Sequence, residues 1–149
     1  LTFLIVGNNQ YEQHLKNKVD KLNLNGKIKF TGYVDNVEDI FAILDIKVLT
    51  SLWEGLPRVL IQAAAVGKPI VSFDVDGAWE IVKEGKNGFI VPMKDINSMI
   101  EKIETLINNE NLRMKMAQES KNQIDDRWDK NNMVKEIDKI YKKLLKDKR

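Results

Sequence analysis

Cysteine is absent from this chain, and histidine occurs once, at His14. A chain without cysteine has no disulfide, no thiolate nucleophile and no thiolate metal site, and it fits a reducing compartment such as the cytoplasm. With a single histidine, any Ser/His/Asp arrangement would have to be built on His14. That residue falls inside the first predicted helix, away from the strand ends where α/β sheets place their chemistry. Glu54 and Glu80 have no spacing that marks a glycosidase pair, and no zinc-ligand spacing occurs. A hydrolase is therefore disfavoured. Charge of one sign is also scarce: the net charge of +2 is too small to point to a nucleic-acid partner. No apolar run approaches the roughly 18 residues of a membrane span, and no repeat or low-complexity segment is visible. What is present, 43% hydrophobic and 31% charged residues over 149 positions, suffices for one domain-sized core.

Strand and helix patterns alternate along the chain, which predicts an α/β fold with a parallel sheet. Leu1 to Val6 is a continuous apolar run of the kind a buried parallel strand shows, and it lacks an initiator methionine, so the chain is expected to be a piece of a longer protein. Gly7-Asn8-Asn9-Gln10 reads as a turn into a helix from about Tyr11 to Leu22. A lone glycine after a strand is weak evidence for phosphate binding, and the full dinucleotide fingerprint is missing. Ile28 to Thr31 is the second predicted strand, Gly32-Tyr33-Val34 a loop, and Val37 to Leu44 a short helix capped by Asn36. Tyr33 is either a ligand-facing aromatic or a core residue.

The centre of the chain is Ser51-Leu52-Trp53-Glu54-Gly55-Leu56-Pro57, followed by an apolar helix and Gly67-Lys68-Pro69. Pro57 suits a first helical position and Gly67 a helix stop, with strands Ile46 to Leu49 before and Ile70 to Phe73 after. A right-handed βαβ crossover then places the helix start at the carboxyl edge of the sheet, where N–H groups and the helix dipole favour an anion. Glu54 is out of place beside a phosphate, but a carboxylate there suits sugar hydroxyls as donors. Beyond Phe73, Asp74 and Asp76 look superficially like a metal-binding pair. Two carboxylates on alternate strand positions point to opposite faces and make a poor site, so no metal is expected. Glu80 begins a predicted short helical turn, and Gly85 to Gly88 turns the chain into a strand from Phe89 to Val91; both read as structural.

Taken in order, Glu54-Gly55-Leu56-Pro57, Gly67-Lys68-Pro69-Ile70-Val71, Gly77-Ala78-Trp79-Glu80-Ile81-Val82 and Gly85-Lys86-Asn87-Gly88-Phe89-Ile90-Val91 resemble the donor-binding half of GT-B glycosyltransferases of the GT4 family. The resemblance implies a Rossmann-like domain that binds a UDP-, GDP- or ADP-sugar and supports retaining, metal-independent sugar transfer. Glu54 would be the catalytic-site carboxylate contacting the donor sugar. Gly7 would let the backbone approach the donor, Tyr33 and Val34 would lie at the base, and Ser51, Gly55, Leu56 and Pro57 would shape the sugar and phosphate pocket. The family's second glutamate, eight residues after the first, is Gln62 here, so one donor contact is altered. The acceptor, a glycan or lipid-linked sugar, would bind an N-terminal domain that this chain lacks. Two other classes remain open: a non-catalytic nucleotide-binding module, and a nucleotide-sugar epimerase of the same architecture.

The predicted layout is a single domain, with an α/β core over residues 1–92 and a helical segment over 93–149. Helical periodicity marks Ile96 to Asn108, about Leu112 to Ile124, and Met133 to Leu145. Ile96, Met99, Ile100, Ile103 and Leu106 form one predicted buried stripe, and Met114 and Met116 read as packing residues. The last 29 residues carry ten Lys or Arg against six Asp or Glu. Lys142, Lys143, Lys146, Lys148 and Arg149 are either a solvated helix face or a contact with an anionic membrane surface, which would make the protein peripheral at the inner face.

Overall fold

The structure is a computed structural model that describes residues 1–8 and 10–146. Contacts divide the chain into two compact units, Leu1–Ile40 and Phe41–Arg149.

The first unit contains β1 (Phe3–Val6), α1 (Glu12–Lys21), β2 (Ile28–Gly32) and most of α2 (Val37–Ile43). β1 and β2 pair in parallel, Phe3 opposite Ile28, with an irregularity after Ile5 that shifts Val6 opposite Gly32. The expected burial of β1 is not observed. Phe3 and Val6 are exposed and Leu4 and Ile5 half-buried, because two strands and a helix whose one buried residue is Val19 enclose too little volume to cover an apolar strand on both faces. Asn36 does act at the start of α2: its Oδ1 accepts from the Glu38 N–H at 3.3 Å.

The second unit holds the core. β3 (Lys47–Leu49), β4 (Ile70–Phe73) and β5 (Gly88–Val91) form a parallel sheet in the order β3-β4-β5. The expected α/β fold with parallel strands is present, the described strands pairing in groups of two and three. β4 is buried at every position, as a central strand covered on both faces must be. It approaches β5 so closely that a Cβ on Gly88 would lie 2.2 Å from the Ile70 carbonyl oxygen, so only glycine fits there.

Between β3 and β4 runs α3 (Arg58–Ala65), with Leu60, Ala63 and Ala64 buried against the sheet. It begins one residue later than expected: Pro57, with φ −73° and ψ 87°, is the cap rather than the first helical residue. The predicted stop is present. Gly67 takes φ +73°, its N–H donates to the Ala64 carbonyl, and the Lys68 N–H donates to Ala63, which is a Schellman closure. α4 (Ala78–Ile81) starts two residues before the expected Glu80.

After β5 the described chain is helical: α5 (Ile96–Asn108), α6 (Glu110–Asn122), a 3-10 turn at Asp126–Trp128, and α7 (Lys130–Lys146). Asp95 caps α5 by accepting from the Ser98 N–H at 3.0 Å and the Ser98 hydroxyl at 2.7 Å. The predicted α5 stripe is narrower than expected. Met99 and Leu106 are buried, but Ile96 and Ile100 are exposed, since α5 turns only one side to the sheet and α6. On α6 Met116 is buried while Met114, 63% exposed, is not a packing residue; two positions apart on a helix, the two cannot share a face. The buried Ser120 hydroxyl ties α6 to the sheet ends by donating to the Lys68 carbonyl at 2.8 Å. Asn87 is buried in the turn before β5, where it accepts from the Lys83 N–H and donates to the Ile81 carbonyl, so this turn is structural as expected. Among the described residues no helix is long and apolar enough to cross a membrane.

Candidate functional site

In the second unit the sheet's carboxyl edge is built by two turns that press on each other. The β3–α3 loop carries Ser51, Trp53, Glu54, Gly55 and Leu56, and the β4–α4 turn carries Asp74, Asp76 and Gly77. Gly77 takes φ +72°, and a Cβ there would lie 2.6 Å from the Gly55 carbonyl oxygen and 3.1 Å from the Leu56 Cα. Only a residue without a side chain lets these loops meet. This contact joins residues far apart in sequence and fixes the shape of the edge.

On that edge, Ser51 and Glu54 are half-buried, Gly55 and Leu56 exposed, and Pro57 buried. The N–H groups of Gly55, Leu56 and Arg58 find no acceptor among the described residues. Together with the dipole of α3 they form a donor-rich, electropositive opening suited to phosphate or hydroxyl oxygens. Glu54 supplies the one acceptor-only group on the same loop. Its charge reaches Lys47 on β3: burial pushes the Lys47 amine below its ordinary range, and Glu54 pulls in the opposite direction. The sequence signal for this pair is a lysine interrupting an apolar strand, half-buried in the structure.

Gln62 sits on the side of α3 that faces the turn after α6. With Ile61, Ala65, Ile124, Asp125, Asp126, Trp128 and Asp129 it lines an open hollow of about 340 Å³. Asp125 is committed to Arg127, whose side chain and N–H hold its carboxyl below the usual range. Asp74 and Asp76 are both exposed, and among the described residues no three of His, Asp and Glu gather as metal ligands.

The remaining expected site residues lie in the first unit. Gly7, at φ +103°, donates its N–H to the Gly32 carbonyl at 2.9 Å, so the turns after β1 and β2 adjoin. That brings Gly7 together with Tyr33, 72% exposed, and Val34, half-buried. An exposed Tyr33 removes the core reading of that residue. His14 is exposed on α1, apart from these turns.

Fold and edge together define an α/β protein whose parallel strands end, in the second unit, at a loop edge with free N–H groups among the described residues. Residues 1–123 match the glycosyl transferases group 1 family, and the chain belongs to that family. An uncharacterized glycosyltransferase of Haemophilus influenzae is 34% identical over 78% of this chain and 33% of its own length. The UDP-Gal:alpha-D-GlcNAc-diphosphoundecaprenol alpha-1,3-galactosyltransferase of Escherichia coli is 30% identical over 93% of this chain and 35% of its own. Among solved structures, Anabaena HepE in complex with UDP superposes with a TM-score of 0.87 at 26% identity, over 96% of this chain and 41% of that one. The chain thus spans about a third of the length of the curated relatives it matches.

Proposed function

We propose that this chain is the donor-binding half of a retaining glycosyltransferase. The parent would transfer a sugar from a nucleoside-diphosphate sugar to a glycan or lipid-linked acceptor in polysaccharide, lipopolysaccharide or capsule biosynthesis. The observation that carries the reading is the single loop that sets the half-buried Glu54 beside the N–H groups of Gly55, Leu56 and Arg58 at the start of α3. UDP in the HepE structure and UDP-Gal in the name of the Escherichia coli relative support a UDP-sugar as the first donor to test. Family membership favours transfer over a plain nucleotide module or an epimerase.

In the reaction, negative charge grows on the leaving diphosphate as the sugar takes on oxocarbenium character. Positioning and fixed dipoles would carry the rate. The N–H groups and dipole of α3 receive the diphosphate charge without a metal. Glu54 accepts hydrogen bonds from the donor-sugar hydroxyls, Ser51 and Leu56 line its pocket, and buried Pro57 holds the loop's shape. Gly7, Tyr33 and Val34 are the nucleoside contacts proposed in the first unit, and Gln62 the ribose contact proposed in the second. The chain spans about a third of the length of these relatives, and alone it should not turn over.

A peripheral association completes the reading. Along α7, Met133, Val134, Ile137, Ile140, Tyr141, Leu144 and Leu145 are exposed on one face. Lys130, Lys135, Lys139, Lys142, Lys143 and Lys146 outnumber Glu136 and Asp138 on the same helix. That pattern suits an anionic membrane surface at the cytoplasmic side. Lys148 and Arg149 lie outside the described residues.

The test is a thermal-shift screen against UDP, GDP, ADP and their sugar conjugates, repeated with Glu54→Ala. Ligand at about 100 times its dissociation constant adds about 2.7 kcal/mol, or roughly 5 to 10 °C for a chain of this size. A base-selective shift that grows with the sugar and shrinks in the variant is expected. No shift with any nucleotide, in this chain and in its full-length parent, overturns the reading.

A further inference from the structure

Two tryptophans flank the contact between the loops. Trp53, 87% exposed, precedes Gly55 by two residues, and Trp79, 60% exposed, follows Gly77 by two. Since a Cβ on Gly77 would touch Gly55, chain geometry keeps each tryptophan Cα within about 7.6 Å of its own glycine. Both tryptophans are therefore carried by the two loops that meet at this contact. Neither indole N–H has an acceptor among the described residues. The third tryptophan shows what this chain does with an indole kept for structure: Trp128 is half-buried and donates Nε1–H to the Gln123 carbonyl at 3.2 Å.

Two exposed indoles on adjoining loops offer apolar faces with a polar edge to a ligand held at the site. The surrounding charge narrows what that is. Glu54, Asp74 and Asp76 are carried by the same two loops, and their carboxylates accept hydrogen bonds from hydroxyls. A pyranose matches both halves of this surface, with a C–H face for an aromatic ring and a hydroxyl rim for carboxylates.

We propose that Trp53 and Trp79 form a stacking platform for a pyranose ring, as specificity residues for the transfer reaction. The proposal rests on the donor-half reading and adds to it the residues that sense the sugar. The ring comes either from the donor or from the acceptor.

The experiment compares wild type, Trp53→Ala, Trp79→Ala and the double variant, with Trp53→Phe as the conservative control. Both side chains are exposed, so the thermal midpoint should stay in place. Calorimetric titration with UDP and UDP-glucose, with the GDP and ADP pairs alongside, gives the ratio of the two dissociation constants. Saturation-transfer NMR with methyl α-D-glucoside, methyl α-D-galactoside and methyl N-acetyl-α-D-glucosaminide reads an acceptor sugar directly. If the ring is the donor's, the alanine variants lose about tenfold of the sugar's increment, as stacking contacts of this size do. Affinity for the nucleotide alone stays unchanged and Phe retains the effect. If the ring is the acceptor's, the increment is intact and the glycoside signal disappears in the double variant. Unchanged values in both assays overturn the proposal, and so does an equal loss for UDP and UDP-glucose, which would mean a stacked base. Absence of nucleotide binding by the wild type and its full-length parent sinks the donor-half reading itself, and the proposal with it.

Discussion

Replacing Gly77 by alanine tests whether the two loops at the sheet edge depend on each other. Two costs follow from the structure. The residue sits at φ +72°, where a side chain costs roughly 1 to 2 kcal/mol. The new Cβ would also stand 2.6 Å from the Gly55 oxygen and 3.1 Å from the Leu56 Cα. Both are backbone atoms, so the loop itself must move, and such overpacking costs about 1 to 3 kcal/mol. Gly85 provides the control. It has φ +70° with nothing within 4 Å of a Cβ, so Gly85→Ala bears the conformational cost alone. The difference between the variants isolates the loop contact at about 1 to 3 kcal/mol, or roughly 2 to 12 °C in Tm. Tryptophan emission is a suitable probe, because Trp53, Trp79 and Trp128 all belong to the second unit. Equal destabilisation by both variants, within about 0.5 kcal/mol, would refute the claim that Gly77 is what lets the loops meet.

Gln62→Glu should tighten nucleotide binding, since a charged acceptor on the ribose diol exceeds a neutral amide by about 1 kcal/mol; unchanged or weaker affinity in a calorimetric titration would count against the ribose role. Acid should loosen the start of α5. The Ser98 N–H, and next the Ser98 hydroxyl, hold the Asp95 carboxyl below its usual range. This stabilisation is therefore present above the unfolded value of about 3.9 and is lost as pH falls through the lower folded value. Asp95→Asn, still a competent cap, should flatten the decline in Tm below about pH 4; a decline identical to wild type would assign it elsewhere. Liposome pelleting should increase with anionic lipid and fall when Lys139, Lys142, Lys143 and Lys146 are changed to glutamate; pelleting indifferent to lipid charge removes the membrane reading of α7.

Local patterns were the legible part of the chain. β4 and α5 have the expected bounds because an apolar run and a helical stripe with its cap are written within one segment. Gly67 was readable for the same reason, since a left-handed stop needs glycine. Burial was less legible. Leu1 to Val6 announces a strand, but how deeply a strand is covered depends on neighbours that its own residues do not name. The pairing of strands in groups of two and three is a matter of long-range contact as well. At the site, Glu54 and Gly55 could be placed on a loop at a helix start by their order alone. The Gly55–Gly77 contact could not, because a whole helix and strand, α3 and β4, lie between the two residues. Trp53 and Trp79 were passed over because an aromatic looks the same in a sequence whether it faces a core or a ligand.

β3 is the shortest strand of its sheet, three residues long, at the edge of the β3-β4-β5 order, and its first residue is Lys47. An outer strand is a template on which another chain can add, and brevity and lysine are two devices that blunt such a template. The three-residue length of β3 and its Lys47 both match that description. Changing Lys47 to valine would make the strand uniformly apolar and leave Glu54 without the cation that faces it from β3.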